Sequence, residues 1–208
     1  PVTKAIPKEM LPVVDKPIIQ YVVEEAVASG ITDIIIVTGW HKRAVEDHFD
    51  RSLELERRLL EAGKKEELYQ IQKVASMANF IYVRQKGPYG NATPVLTAKD
   101  IIGDEPFAVM WGDEFIHSTP PRLKQCIEVY EKYGGPVLSG IKVSKEDTKR
   151  YGIGKLKHIK GNVYKLNGIV EKPEPNDAPS DIAVHGAYVL TPDIFPILEN
   201  LKPGKSGE

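Results

Sequence analysis

Apolar positions along the first third of the chain change period twice. Ile18, Ile19, Val22, Val23, Ala26 and Val27 fall on one helical stripe. Asp15 is placed to cap that helix, Pro17 suits its first turn and Gly30 is placed to end it. The run IIIV at 34–37 is short and wholly apolar, as in a strand covered on both faces. A second helix follows over 42–49. Residues 51–75 are charged with leucines at helical spacing, which predicts a helical insertion. The alternation then repeats: a strand at 80–83, a helix at 92–102, a strand at 107–111, a helix at 121–133 and a strand at 137–143.

Strands alternating with helices predict an α/β fold, a doubly wound and mostly parallel Rossmann-like sheet with right-handed crossovers. After Tyr151 the pattern becomes strictly two-residue. Residues 153–159 and 163–170 alternate around Gly161 and Asn162, which predicts a β-hairpin elaboration spanning 152–170. One more strand is expected at 182–190, with Pro192 opening a helix, and 174–180 reads as a surface loop. No internal repeat divides the chain, so residues 1–208 read as a single domain.

Composition narrows the partners. Lys plus Arg number 28 and Asp plus Glu 29, a net charge of -1, which gives no basis for a nucleic acid or an acidic membrane as partner. Cys126 is the single cysteine and lies on a helical stripe, so it reads as a buried structural thiol in a reducing compartment. No run is long enough to span a bilayer, and a cytoplasmic location is the expectation.

Ligands of open parallel sheets bind beyond the carboxyl ends of the strands, and the residues there form a chemical set. Arg84, Gln85 and the loop KGPYGNATP follow one strand; Gly112 and Asp113 follow another; Glu171, Lys172 and Pro173 follow the hairpin. Lys8 can join them from the opening loop. Each residue alone is ordinary. Together they offer a hard carboxylate for a divalent cation, lysines for phosphates, an amide for a base edge and glycines where backbone approaches a ring. Pro173 favours an extended Lys172 and an end to the strand there. No G-x-G-x-x-G follows a strand, which argues against a dinucleotide oxidoreductase.

The segment KAIPKEMLPVVDKPIIQYVVEEAVASGI resembles the early segment of bacterial UTP–glucose-1-phosphate uridylyltransferases. VRQ at 83–85, GDE at 112–114, YG at 151–152, VEKP at 170–173 and GAYVL at 186–190 resemble later blocks of the same family, in the same order. The resemblance implies that a uridylyl group passes from UTP to glucose 1-phosphate, with Mg²⁺ as cofactor, no general base, and a homo-oligomer (dimer or tetramer) in the full-length protein. By position it implies that Lys8 contacts the triphosphate and that Gln85 and Gly90 read the base. Asp113 would bind the metal, Gly152 and Glu171 the glucose hydroxyls, and Lys172 the sugar phosphate; Lys8, Asp113 and Lys172 would carry catalysis. The 152–170 hairpin would then lie on the sugar side. The base loop and the WGDE segment depart from the commonest family pattern, so uracil and thymine are both open as the base. A thymidylyltransferase, another sugar-1-phosphate nucleotidyltransferase and a silent sugar-nucleotide-binding homologue are the alternatives. In the family a glycine-rich G-x-G-T-R loop precedes the position of Pro1, and further helices follow GKSGE, so the chain reads as an internal portion of a longer enzyme.

Overall fold

The structure, a computed structural model, describes residues 2–87 and 90–201. In chain order the elements are β1 (Pro12–Val13), β2 (Lys16–Pro17), α1 (Ile18–Ala28), β3 (Asp33–Thr38), α2 (Arg43–Phe49), α3 (Leu53–Glu61), α4 (Lys65–Ala75) and β4 (Asn79–Arg84). There follow α5 (Ala92–Thr97), α6 (Lys99–Ile102), β5 (Phe107–Val109), α7 (Arg122–Tyr133) and β6 (Val137–Lys142). The last are β7 (Gly152–Lys160), β8 (Val163–Glu171), β9 (Ile182–Leu190) and α8 (Ile194–Glu199). They fall into two compact units. The first holds the chain up to Pro106, Trp111–His117 and the segment from Thr191; the second holds Phe107–Met110 and Ser118–Leu190.

In the first unit α1 buries the expected stripe, with Ile19, Val22, Val23 and Ala26 each at most 7% exposed. Its start differs from the expectation. Asp15 lies in the β1–β2 turn, and no side chain caps the helix; Pro17 holds the cap position, and the Ile18 N–H donates to Leu11 O at 3.1 Å. The fixed φ of Pro17 enters the helix without needing a side-chain acceptor. Its end is as expected: Gly30, at φ +96°, lets Ile31 N–H reach back to Ala26 O and its own N–H reach Val27 O, a Schellman closure. β3 and β4 pair in parallel from Asp33–Asn79 to Thr38–Arg84. Ile19, Val23, Val45 and Phe49 form a core against Ile34, Ile36 and Phe80, with the Phe49 and Phe80 rings stacked at 4.7 Å. Helices α3 and α4 occupy the charged stretch 51–75, tied by Glu56, whose carboxylate accepts hydrogen bonds from Arg51 and Gln72. The expected helix at 92–102 is two, α5 and α6, divided at buried Ala98, whose N–H bonds three residues back to Val95 O. A Thr97 hydroxyl bonded to Thr93 O competes in the same turn.

The second unit is a five-stranded sheet in the order β5-β9-β7-β8, with β6 also on β9, and every one of its described pairings is antiparallel. The sheets are therefore mixed: the parallel pairing expected for most of the strands is found among the described residues at β3–β4, while β9 serves as an antiparallel hub. An apolar run covered on both faces reads alike in either direction, so periodicity could not separate the two. Ile153, Ala183 and Ala187 are fully buried, as is Leu123 of α7, and Cys126 lies buried beside Ala187 O. The hairpin turns at Gly161, φ +56°. Among the described residues no helix is long and apolar enough to cross a membrane.

Candidate active site

On the first unit, the segment leading into β1 alternates: Pro7 and Glu9 are buried, and Lys8 between them is exposed. A 3-10 turn over Lys8–Met10, closed by Met10 N–H to Pro7 O, holds this alternation. Lys8 Nζ lies 2.6 Å from Asp113 Oδ2, and the hydrogen bond that it donates to that carboxylate raises the proton affinity of the lysine. Two residues that the sequence placed on separate elements thus meet directly. Gly112 makes the approach possible, because a Cβ there would stand 2.8 Å from Ile19 Cδ1 and 3.3 Å from Glu9 Cγ. Gln85 follows β4, and its N–H donates to Thr38 O at 2.9 Å, which extends the β3–β4 ladder by one residue. Gly87 and Gly90 adopt φ +127° and +138°, conformations that favour glycine. The loop after β4, expected to meet the base, is therefore described at both flanks, while its Pro88 and Tyr89, like the GKSGE segment and Pro1, lie outside the described residues.

On the second unit, Gly152 and Glu171 are direct partners in the β7–β8 ladder. A Cβ on Gly152 would stand 3.1 Å from Glu171 Oε2 and 3.0 Å from Ile169 Cγ2, so the glycine leaves room for the carboxylate to lie over backbone. β8 ends at Glu171, as expected. Lys172, however, is not extended: its φ is +46°. Its N–H donates to Tyr151 O at 3.0 Å, one further rung that holds the residue in the left-handed region despite the following proline. Strain of this kind concentrates at functional positions. The Lys172 ammonium lies 3.6 Å from Glu171 Oε1, with 62% and 70% of the two side chains exposed. The turn at the end of the strand thus brings adjacent side chains, which would otherwise point to opposite faces, onto one ion pair.

Sequence reasoning passed over Glu9, which pairs with Lys42. It named Gly112 and Tyr151, but not that Gly112 admits the Asp113 backbone or that Tyr151 supplies the carbonyl that bends Lys172. The signal for Glu9 is a glutamate between Lys8 and Met10 in a proline-bounded segment. Among the described residues no group of three or more His, Cys, Asp or Glu side chains is arranged to hold a metal.

Comparison with known proteins gives the family. The family model described as nucleotidyl transferase matches residues 1–208. The chain belongs to the nucleotidyl transferase family. It is 52% identical over 208 residues to the UTP–glucose-1-phosphate uridylyltransferase YngB of Bacillus subtilis strain 168, covering all of this chain and 70% of that protein. Among solved structures of the family, apo UDP-glucose pyrophosphorylase superposes with a TM-score of 0.92 at 45% identity, covering 100% of this chain and 77% of that one. UDP-glucose pyrophosphorylase complexed with UDP-glucose gives a TM-score of 0.87 at 44% identity, covering 100% and 76%. The α/β architecture is thus that of nucleotidyl transferases, with the mixed strand pairing described above.

Proposed function

We propose that this chain transfers a uridylyl group from UTP to glucose 1-phosphate, giving UDP-glucose and pyrophosphate. The observation that carries the reading is its similarity, 52% identical along all 208 residues, to a protein named for that reaction. The site chemistry supports it. A phosphate oxygen of glucose 1-phosphate attacks the α-phosphorus of UTP; the new P–O bond forms as the bond to the bridging oxygen of the β-phosphate breaks, and pyrophosphate leaves with that electron pair. The nucleophile is already an anion, so the protein needs to position the reactants and neutralise charge rather than remove a proton.

On the first unit Lys8 and Asp113 act on the nucleotide. Their ion pair is exposed, with 59% and 36% of the side chains open to solvent, and exposed pairs are worth about 1 kcal/mol or less, so an incoming polyphosphate can take the lysine from the carboxylate. Asp113 then has an oxygen free. One carboxylate with phosphate oxygens and water for the remaining positions is a donor set that suits Mg²⁺. A cation bound there would supply charge neutralisation across the phosphates. Gln85 reads a base edge, and Gly90 lets backbone approach the ring. On the second unit Gly152 and Glu171 accept the sugar hydroxyls, and Lys172 meets the sugar phosphate. A homo-oligomeric enzyme of the cytoplasm belongs to the same reading, on resemblance alone.

The test is a panel of UTP, dTTP and ATP against glucose 1-phosphate and other sugar 1-phosphates, scored by pyrophosphate release. UTP with glucose 1-phosphate is expected to be the fastest pair, and equal or faster release from dTTP overturns the base assignment. Asp113→Asn is expected to remove most turnover that depends on the divalent cation while the melting temperature holds. Unchanged turnover at limiting Mg²⁺ rules out Asp113 as the ligand.

A further inference from the structure

Two ion pairs built on consecutive residues of the first unit differ in burial, and the difference separates their roles. Lys8–Asp113 is exposed and exchangeable. In the neighbouring pair, Glu9 to Lys42, only 10% of the Glu9 side chain is exposed and 28% of the lysine. Drawing Lys42 away would strand a buried carboxylate, a much larger penalty than parting a surface pair. Oε1 of Glu9 accepts from Lys42 Nζ, while Oε2 is buried with no hydrogen-bond partner among the described residues. Buried oxygens left unsatisfied are uncommon and call for a reason. The stem gives one. Glu9 is bonded in sequence to Lys8, and its Cγ lies where a Cβ on Gly112 would come within 3.3 Å, so the same side chain rests against the backbone that carries Asp113.

We infer that Glu9 is a positioning residue: clamped by Lys42 from beneath, it sets the backbone of Lys8 and of Asp113, so that Lys8 exchanges from carboxylate to nucleotide phosphate while Lys42 stays fixed. The inference deepens the uridylyltransferase reading and rests on it for the nucleotide. Its loss leaves the substrate sites in place and misaligns the charges that act at the reacting phosphorus.

The experiment has two arms, on the full-length protein. In the first, lysines are acylated in competition and read by peptide mass spectrometry, with and without UTP. Lys42 is expected to label several-fold more slowly than Lys8, and UTP to protect Lys8 while leaving Lys42 unchanged; protection of Lys42 in place of Lys8, or of neither, overturns the inference. In the second, Glu9→Gln is expected to speed Lys42 labelling and lower kcat by roughly 10- to 100-fold, the scale of a small misplacement, with KM for glucose 1-phosphate within about twofold. Adding Lys42→Met to Glu9→Gln removes the unpaired ammonium and is expected to restore the melting temperature without restoring kcat. If kcat returns with stability, Glu9 only neutralises Lys42 and the inference is wrong. If the wild type releases no pyrophosphate yet UTP protects Lys8 selectively, the sugar substrate is misassigned and the positioning role stands on the labelling.

Discussion

Lys172 can be divided into a charge and a backbone conformation, and two substitutions separate them. Lys172→Ala and Lys172→Gly both remove the ammonium and its pair with Glu171, so those losses cancel in the comparison. They differ at φ +46°. For a residue with a Cβ the left-handed conformation costs roughly 1–2 kcal/mol. Glycine escapes that cost but loses roughly 0.5–1 kcal/mol through its freer unfolded chain. The glycine variant should therefore be the more stable by about 0.5–1 kcal/mol, or about 1–4 °C in melting temperature for a chain of this size. Kinetics should not tell the two apart. A charge-assisted contact to the sugar phosphate is worth roughly 1.5–3 kcal/mol, so both variants should raise KM for glucose 1-phosphate by about ten- to a hundredfold and leave KM for UTP within about twofold. The assays are differential scanning calorimetry and pyrophosphate release with each substrate varied. An alanine variant as stable as the glycine variant would refute the strain argument; an unchanged KM for glucose 1-phosphate would refute the phosphate contact.

Gly152→Ala places a methyl group 3.1 Å from Glu171 Oε2 and 3.0 Å from Ile169 Cγ2, so it should displace the carboxylate and raise KM for the sugar phosphate while UTP kinetics hold, checked in the same assay. Phe49 is 1% exposed and stacked on Phe80; Phe49→Ala should cost about 3–5 kcal/mol, measured by denaturant unfolding. Arg51, then Gln72, hold the Glu56 carboxyl down to about 2 from an ordinary 4.5. A folded-state value below the unfolded one means that the stabilisation is complete above about pH 4.5 and fades as pH falls towards 2, so Glu56→Gln should flatten the acid limb of the melting temperature in that window.

Much of this was legible in the chain. The stripe of α1, its glycine end, the β3 and β4 runs and the Gly161 hairpin follow from period and turn chemistry, which are local, so the residues that show them also form them. The candidate residues stood out for a similar reason: carboxylates and lysines next to strand ends are chemically conspicuous in a string of letters. What only the tertiary structure decided depends on residues far apart in sequence. Strand direction around β9 is a choice of partner, to which an apolar run is indifferent. Asp15 lost its expected role to Pro17 because the entry into α1 is set by a backbone bond to Leu11. Lys172 turned left-handed, against the preference imposed by Pro173, because Tyr151, just before the neighbouring strand, offers its carbonyl. Burial made the sharpest distinction. Lys8 and Lys42 are the same residue type, as Glu9 and Asp113 are both carboxylates, yet one pair is exposed and the other mostly buried, so solvent screens the first far more than the second.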